Sequence, residues 1–472
     1  MLKNIQLENF KVWEKLDLDL GQVTGIFGTN SSGKSSVIHM LLMLKQTKNN
    51  SDRNIALDFG SEEKLADLGT YHDVISHHDE SKNLSFKLTW DLGEALKIQD
   101  IEGSSKSILF NDSTLALSST VGFKDKLLEV KKLNYQFADS NFSILPKEAG
   151  SNEFVLKAES KTSSNNFKFV RTTGRNWKLP QSTKYYLFPD QAKTYYQNAD
   201  FLSQFETAYE AVMDNIYYLG PLRSFPKRSY QWSGTSPTDV GQQGELTINA
   251  ILAATLKGEK RNLTKGARYK TFQEMVAYWL KKLGLIHSFR VEEIAPNSNH
   301  YKTYVKKENG SAEVTLTDVG FGVSQILPVI VLLYYVPQGS TVLFEQPEIH
   351  LHPSVQSNLA DLILTVSETR NVQVIVESHS EHFIRRLQRR IAEDTANTKD
   401  LKLFFFSTRR GKASYQELQL DEFGAIHNWP ENFFGNEMEE ISATRKAALL
   451  KRKAQQQSID AAIKCHNTPA MP

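Results

Sequence analysis

The stretch that decides the fold is Gly28-Thr29-Asn30-Ser31-Ser32-Gly33-Lys34-Ser35, which matches the phosphate-binding loop pattern G-x-x-x-x-G-K-[ST]. An apolar run from Val23 to Phe27 precedes it and has the length of a buried strand. Apolar residues then recur at helical spacing from Val37 to Leu44. A glycine-rich turn between a strand and a helix points backbone N–H groups and the positive end of the helix dipole at an anion. The stretch therefore predicts an α/β fold of the P-loop type.

This loop predicts a site for a nucleoside triphosphate, ATP, together with Mg²⁺. Lys34 would reach the β- and γ-phosphates, and the Ser35 hydroxyl would bind Mg²⁺. The alternative is an ordinary surface turn rich in Gly and Ser, which the flanking strand and helix disfavour. The predicted nucleotide-binding residues of the loop are Gly28, Asn30, Ser31, Ser32, Gly33, Lys34, Ser35 and Ser36.

Composition and charge are typical of a soluble globular protein. The 472 residues are 40% hydrophobic and 23% charged, and the formal net charge of +2 neither supports nor excludes a nucleic-acid partner. The longest apolar run, Ile326 to Val336, is too short to span a bilayer. The N-terminus lacks the form of a secretory signal, and the single cysteine, Cys465, excludes disulfides within the chain and a cysteine-based zinc site. We expect a cytoplasmic protein with no membrane partner.

Changes in the spacing of apolar residues divide the chain into four segments. Short alternating runs between Leu84 and Tyr186 predict an antiparallel β-rich insertion, and helical patterns follow it near Phe201 and Phe272. Heptads persist nowhere, so no long coiled coil is expected. The predicted segments are the N-terminal half of a nucleotide-binding head (1–80), a β-rich and then helical insertion (81–300), the C-terminal half of the head (301–430), and a C-terminal helix and tail (431–472).

An acidic residue ends an apolar strand at Leu343-Phe344-Glu345-Gln346-Pro347-Glu348, which is the form of a Walker B segment. Mg²⁺ takes oxygen ligands and keeps several waters, so Glu345 is predicted to hold it through water. After the next apolar strand, Val372 to Val376, His379 could hydrogen-bond a γ-phosphate, although a histidine at a strand end is often structural. Zinc is a less favoured alternative, because no cysteine or third ligand lies near the two histidine pairs, His379/His382 and His350/His352.

A second glycine-containing turn, Asp318 to Gln325, leads directly into the apolar helix predicted from Ile326 to Val336. Glycines at a helix N-terminus form another anion-binding surface. One chain cannot easily wrap this turn and the P-loop around the same phosphates, but two chains can.

Together these motifs resemble the ATPase heads of the ABC type, in the group that contains the RecF, SMC and OLD proteins. Further motifs resemble a family of stand-alone AAA family ATPases, whose relatives are ATPase subunits of antiphage systems such as Septu and PARIS. The resemblance covers roughly residues 1–80 and 215–435. The motifs that carry it are Tyr218-Leu219-Gly220-Pro221-Leu222-Arg223, Val240-Gly241-Gln242-Gln243-Gly244-Glu245, Glu377 to His382, and Ile426 to Phe434.

The resemblance implies a homodimer, or a higher homo-oligomer, that sandwiches ATP between one chain's P-loop and the other chain's second glycine turn. By residue, Gly320, Gly322 and Ser324 would face the partner's γ-phosphate. Arg223 is a candidate contact to phosphate or to the interface, and it could equally form a structural ion pair.

One departure from the family pattern concerns hydrolysis. In most ABC-type heads a second glutamate follows the Mg²⁺-linked acid and polarises the attacking water, whereas this chain has Gln346. An amide can orient water but is not a useful general base. We therefore expect slow hydrolysis, with Gln346, Glu377 and His379 as the catalytic residues. Glu377 is the favoured substitute base, ahead of Glu348 and Glu381.

Three functions are compatible with such an ATPase. The first is a regulatory scaffold for a separate effector, a TOPRIM-like or HNH nuclease encoded nearby in an antiphage system. The second is a RecF-like clamp on DNA, for which the arginines between Arg385 and Arg390 could form a basic helix face. The third, a transport ATPase, is disfavoured because no spanning segment is present.

Overall fold

The computed structural model describes residues 1–99, 108–148, 151, 153–160, 167–174, 177–264, 266–430, 433, 442–449 and 451–453. The chain divides into two compact units, Met1–His427 and Asn428–Pro472. The first unit carries two large sheets and every residue that the sequence analysis assigned to a site.

The first unit begins with three strands and two α-helices, continues with a run of five strands, and ends with helices and strands that alternate from α7 to β18. The strands are β1 (Leu2–Phe10), β2 (Trp13–Asp19), β3 (Val23–Gly28), β4 (Leu84–Gln99), β5 (Ile108–Lys124), β6 (Leu127–Phe137), β7 (Ser140–Pro146), β8 (Phe154–Ser160), β9 (Ile216–Leu219), β10 (Tyr230–Gln231), β11 (Lys260–Arg261), β12 (Lys270–Thr271), β13 (Ser288–Glu293), β14 (His300–Lys306), β15 (Val314–Thr315), β16 (Thr341–Glu345), β17 (Gln373–Glu377), β18 (Leu401–Arg409) and β19 (Lys412–Glu417). The α-helices are α1 (Lys34–Asn49), α2 (Tyr71–Val74), α3 (Asp190–Tyr195), α4 (Leu202–Asp214), α5 (Thr247–Leu256), α6 (Phe272–Lys282), α7 (Phe321–Tyr335), α8 (Pro353–Arg370) and α9 (Glu381–Ala392).

A six-stranded sheet in the order β19-β18-β3-β17-β16-β9 forms the nucleotide-binding core. All of its strands are parallel except the edge strand β19. Every residue of β16 and β17 is buried, as expected for parallel strands that are covered on both faces. The carboxyl ends of β3, β16 and β17 meet at one edge, where the P-loop and the predicted Walker B and histidine segments all begin. The predicted P-loop α/β fold is confirmed.

The second large sheet is antiparallel, in the order β2-β1-β4-β5-β6-β7-β8. Of the stretch predicted to be β-rich, Leu84 to Tyr186, the part up to Ser160 forms β4 to β8, and the buried face of the sheet is filled by aromatic side chains such as Trp90, Tyr135 and Phe142. β4 pairs with β1, so the insertion continues the sheet of the N-terminal strands. The predicted boundaries need one correction. β9, inside the predicted insertion 81–300, pairs with β16 and belongs to the head.

Helix α7 is almost entirely buried and contains a proline in its interior, Pro328. The helix packs against the loop at Gly244, where an added Cβ would lie 2.5 Å from the Pro328 ring. Gly244 also has φ of +74°, so a glycine is favoured there for both reasons. This contact places the middle of α7 next to the turn that precedes α5.

In the second unit, residues 442–449 and 451–453 are helical, and Trp429 stacks on Phe433 with ring centroids 4.8 Å apart. The remainder of the predicted C-terminal tail, with Cys465, lies outside the described residues, as do Glu431, Asn432 and Phe434 of the last quoted motif. Within the described ranges, no helix is long and apolar enough to cross a membrane.

Candidate functional site

The P-loop runs from the end of β3 to the start of α1 and uses left-handed backbone at three positions. These are Gly28, Ser31 and Gly33, with φ of +144°, +58° and +87°. An added Cβ at Gly28 would lie 2.0 Å from the carbonyl oxygen of Phe406, which shows why only glycine fits there. Trp13 Nε1 donates to the Gly33 carbonyl at 3.1 Å and holds the loop from the β1–β2 side.

Lys34 lies folded against its own loop. Its Nζ donates to the carbonyls of Gly28 at 3.3 Å and Thr29 at 2.7 Å, and Ser32 Oγ donates to the same Thr29 oxygen at 2.8 Å. Burial lowers the pKa of Lys34, and the nearby Glu377 opposes that change. The loop therefore keeps a cation at its centre whose present partners are neutral carbonyls.

A cavity of about 370 Å³ opens over the P-loop. It brings the loop together with the turn between β1 and β2, with helix α1, and with two segments that lie far along the sequence. Its lining consists of Lys11, Val12, Asn30 to Ser36, His39, Gln346, Glu377 and His379.

Two buried carboxylates, Glu345 and Glu377, end the neighbouring strands β16 and β17 in register. Glu345 accepts a hydrogen bond from the Tyr218 hydroxyl at 3.1 Å. Burial, and then the charge of Glu377, raise the pKa of Glu345 to about 7. Burial also raises the pKa of Glu377, while a hydrogen bond from Ser35 and the charge of Lys34 oppose the rise.

The side-chain oxygen atoms of Ser35, Glu345 and Glu377 are suitable ligands for a hard cation. Glu377 Oε2 is buried and has no hydrogen-bond partner within the described part of the chain. Together with the Ser35 hydroxyl and Glu345, it provides the oxygen donors that Mg²⁺ prefers. The zinc alternative gains no support, because the described residues contain no group of three or more His, Cys, Asp or Glu side chains that could hold a metal ion.

The segment between β16 and α8 positions the predicted catalytic residues. Gln346 has left-handed backbone, with φ of +44°, and its N–H donates to the Glu377 carbonyl at 2.9 Å. Glu348 is buried and accepts from Ser378 Oγ at 2.8 Å and from the His379 N–H at 2.7 Å. Glu348 thus fixes the backbone that presents His379 to the cavity. Desolvation lowers the pKa of His379.

The second glycine turn, Asp318 to Gln325, lies outside the P-loop cavity. Gly320 precedes α7 and is exposed, Gly322 is in the first turn of the helix, and neither lines the P-loop cavity. Ser324 is buried and its Oγ donates back to the Phe321 carbonyl at 2.7 Å. Within one chain, the two glycine turns therefore belong to different cavities.

Arg223 lies in the loop after β9 and is only 8% exposed. None of its three guanidinium nitrogens has a hydrogen-bond partner among the described residues, so it does not form the structural ion pair that was the alternative. Burial lowers its pKa to about 10. It lines a second cavity, of about 640 Å³, which also contains Phe321 and Gln325.

Residues 1–384 match the family model described as AAA ATPase domain. The chain belongs to this family. The match spans both halves of the predicted head and confirms the predicted ATPase class, whereas the antiphage association stays a prediction. Residues 397–443 match a second model, described as a protein of unknown function, DUF3696. A comparison with curated proteins finds no match.

Solved structures of SMC heads resemble this AAA ATPase domain at low identity. One is an SmcHead bound to the C-winged helix domain of ScpA, with 14% identity over 89% of this chain and 98% of that chain and a TM-score of 0.42. Another is the SMC head domain from Thermotoga maritima, with 11% identity, coverage of 89% and 99%, and a TM-score of 0.37. A third is an Smc head with an extended coiled coil bound to the C-terminal domain of ScpA, derived from Pyrococcus furiosus, with 11% identity, coverage of 88% and 96%, and a TM-score of 0.40.

Four residues of the AAA ATPase domain's sites did not stand out in the sequence. His39 Nε2 lies 3.5 Å from Glu345 Oε1, and burial lowers the His39 pKa to about 4, so the ring is neutral near pH 7. His39 follows Ser35 by four residues on α1, and this spacing on one helix face was an available signal. Lys11, Tyr218 and Gln325 were assigned no role, although Tyr218 and Gln325 lie in quoted motifs, because their positions depend on how distant strands and loops pack.

Proposed function

We propose that the protein binds Mg·ATP between two copies of the chain, hydrolyses it slowly, and uses the resulting homodimer or larger homo-oligomer to regulate a separate effector. The observation that carries this proposal is the separation of the two glycine turns into different cavities of one chain. A second copy could bring its α7 turn to the P-loop, which a single chain does not do.

Nucleotide binding would use groups that already face the P-loop cavity. Loop N–H groups would surround the phosphates, and Lys34 would exchange its two carbonyl partners for phosphate oxygens. Ser35, Glu345 and Glu377 would hold Mg²⁺, whose charge would offset that of the β- and γ-phosphates. With a cation in place, both carboxylates could be ionised together.

Hydrolysis would require water to attack the γ-phosphorus while a base accepts its proton. Gln346 lines the cavity where that water would lie, but its amide can only orient the water. Glu377 lies in the same cavity and would serve as a base only when Ser35 and the cation leave one of its oxygens available. His379 would hydrogen-bond the γ-phosphate. These roles support slow turnover and a long-lived ATP-bound dimer.

Sedimentation velocity with and without Mg·ATP, combined with a turnover assay, tests the proposal. We expect monomers without nucleotide, dimers or larger assemblies with it, and a turnover well below one per second. A protein that stays monomeric with saturating Mg·ATP, or that turns over tens of ATP per second undiminished by Glu377→Ala, would contradict it.

The effector is proposed to be a nuclease encoded nearby, in keeping with the predicted antiphage role. The alternative, a RecF-like DNA clamp, would use four arginines of α9, with added positive charge from the exposed residues Lys451, Arg452 and Lys453. In the structure, Arg386 and Arg390 bind Asp361, while Arg385 and Arg389 pair with Glu381 and Glu393. Three acids thus pair with the four arginines and leave this face only a small excess of positive charge, which favours the effector hypothesis. Salt-dependent binding of duplex DNA by the isolated protein would instead favour the clamp.

A further inference from the structure

A third cavity, of about 690 Å³, opens at the edge of the head sheet opposite to the P-loop. Val23 lines it where β3 begins, and Leu401 lines it where β18 begins. The P-loop follows the carboxyl end of the same strand β3, which runs parallel to β18. We call this third cavity the acidic cavity. Among the described residues, the charged side chains of its lining are Glu368, Asp394, Asp400, Glu422 and Lys399.

The carboxylates of the acidic cavity are not neutralised by cations of the chain. All four acidic residues are exposed, and none forms an ion pair within the part of the chain that the structure describes. By contrast, Asp361 of α8 and Glu381 of α9 each pair with an arginine of α9. A cleft lined mainly by one sign of charge concentrates ions of the opposite sign. The cavity therefore favours a positively charged ligand.

Two helix ends add negative potential to the acidic cavity. α8 ends at Arg370, and the next residue, Asn371, lines the cavity. Ile391, in the last turn of α9, lines it as well. The two helices have 18 and 12 residues. Because the carboxyl end of a helix carries a partial negative charge, both helices stabilise a cation there.

One buried hydroxyl in the lining has no partner. Ser367, in the last turn of α8, is 4% exposed, and its Oγ forms no hydrogen bond among the described residues. The hydroxyls of Thr365 and Thr369 on the same helix instead donate to carbonyls one turn earlier. Buried polar atoms in folded proteins are nearly always hydrogen-bonded. Ser367 is thus an acceptor for a donor that the chain itself does not supply.

The lining is better suited to an organic cation than to a metal ion. The described residues contain no group of three or more His, Cys, Asp or Glu side chains that could hold a metal ion, so the four acids do not converge on one point. The lining also contains the apolar side chains of Leu364, Ile391 and Leu401. An alkyl chain with several cationic groups can place its methylene groups on apolar surface and its charges beside separate carboxylates.

We infer that the acidic cavity binds an alkyl cation with two or more amino or guanidinium groups, which the four carboxylates and Ser367 accept. The ligand has two candidate sources, a free polyamine or a lysine- and arginine-rich segment of another protein. The site does not depend on the proposed nucleotide-bound dimer. Asp400 and Glu422 belong to the segment that matches DUF3696, so the inference gives that segment a role in ligand binding.

The first experiment measures the binding of spermidine to the full chain by calorimetry, without nucleotide and at constant ionic strength. We expect saturable binding that the double variant Glu368→Gln/Asp394→Asn weakens about tenfold or more. Glu62→Gln/Glu63→Gln is the matched control, because it removes the same charge from two exposed acids outside the cavity. Equal weakening in both double variants would show that binding follows net charge alone and would overturn the inference.

The second experiment tests the buried hydroxyl. Ser367→Ala removes no hydrogen bond of the ligand-free protein, so its melting temperature should stay the same or rise, while spermidine should bind a few-fold more weakly. Thr365→Ala is the matched control on α8, because Thr365 Oγ1 donates to the Asp361 carbonyl at 2.7 Å. That variant should melt at a lower temperature and bind spermidine normally. If Ser367→Ala binds spermidine as the wild type does, the inference fails.

The third experiment identifies the source by comparing spermidine with a lysine-rich peptide of the same net charge. A free source predicts that spermidine binds more tightly, a protein source predicts that the peptide does, and Glu368→Gln/Asp394→Asn should weaken the tighter probe in either case. If the wild type dimerises with Mg·ATP but binds neither probe, the inference fails while the proposed function stands. If it binds a probe but never dimerises, the proposed function fails while the inference stands.

Discussion

The P-loop cavity and the second cavity, which is lined by Arg223 and is called the Arg223 cavity, both contain positive groups near a helix amino end, but they differ in whether those groups have partners. In the P-loop cavity Lys34 binds loop carbonyls and Glu345 accepts from Tyr218, so most charges have partners within the chain. In the Arg223 cavity the guanidinium has none among the described residues. The comparison shows that Lys34 and Glu345 of the P-loop cavity have partners within one chain, whereas the guanidinium of Arg223 is buried without a hydrogen-bond partner among the described residues.

The largest expected effect is the loss of nucleotide affinity when Lys34 of the P-loop is replaced. Lys34→Ala removes charge-assisted contacts to phosphate, so nucleotide affinity should fall by about 100-fold or more. Titration with a fluorescent ATP analogue measures the loss. Lys48→Ala, at the other end of α1 in an ion pair with Asp214, is the matched control and should bind normally. Equal affinities for both variants would show that the P-loop cavity is not the nucleotide site.

The next effect concerns hydrolysis. Gln346→Glu introduces a carboxylate into the P-loop cavity, and a positioned general base contributes roughly 10²- to 10⁴-fold to rate. We expect ATP turnover to rise at least about tenfold and the nucleotide-bound dimer to become shorter-lived. Gln346→Ala is the control that changes the same position without adding a base. If the glutamate variant is no faster than wild type, Gln346 does not limit turnover.

The metal-free protein should show a pH dependence that originates at Glu345. Because burial raises the pKa of Glu345 to about 7, the folded protein keeps a proton that the unfolded chain loses near pH 4 to 5. This contribution to stability is complete at low pH and disappears as the pH rises through about 7. Glu345→Gln should therefore gain stability relative to wild type between pH 5 and pH 8, on the order of 3 kcal/mol.

Chemical denaturation of both proteins in EDTA, at several pH values, measures this difference. The lowered pKa of His39 gives a slope of opposite sign between about pH 4 and 6.5, but both proteins contain His39, so its effect largely cancels in the comparison. A constant difference between the two proteins across the range would show that Glu345 is already ionised in the fold.

The smallest expected effect tests the connection between the two cavities. Tyr218 is on β9, the strand that leads to Arg223, and its hydroxyl binds Glu345 at 3.1 Å. Tyr218→Phe should cost about 1 kcal/mol of unfolding free energy and weaken Mg²⁺ binding only a few-fold. Tyr217→Phe is the neighbouring control. A loss of all nucleotide-dependent assembly in Tyr218→Phe would mean that the two cavities are more tightly coupled than this single hydrogen bond suggests.

Most residues of the P-loop cavity could be predicted from the sequence because they lie at or just after the ends of strands. Glu345 ends β16, His379 lies two residues after β17, and the loop that leads to Ser35 begins at the end of β3. The carboxyl ends of parallel strands meet at one edge of a sheet. The assignment of β9 to the insertion was wrong because a strand of four residues carries no pattern that shows which sheet it joins. Only pairing with β16 shows that it belongs to the head.

The sequence by itself determined the local chemistry: a phosphate loop between strand and helix, acids at strand ends, and a glutamine where a base is expected. These features depend on neighbours within about ten residues, for which backbone geometry and apolar spacing are sufficient. The tertiary structure alone decided that Lys11, His39 and Tyr218 surround Glu345 and that Arg223 and Gln325 share a cavity. The reason is physical, because burial and the absence of a partner are properties of the packed chain and cannot be assigned to a residue before its distant neighbours are placed.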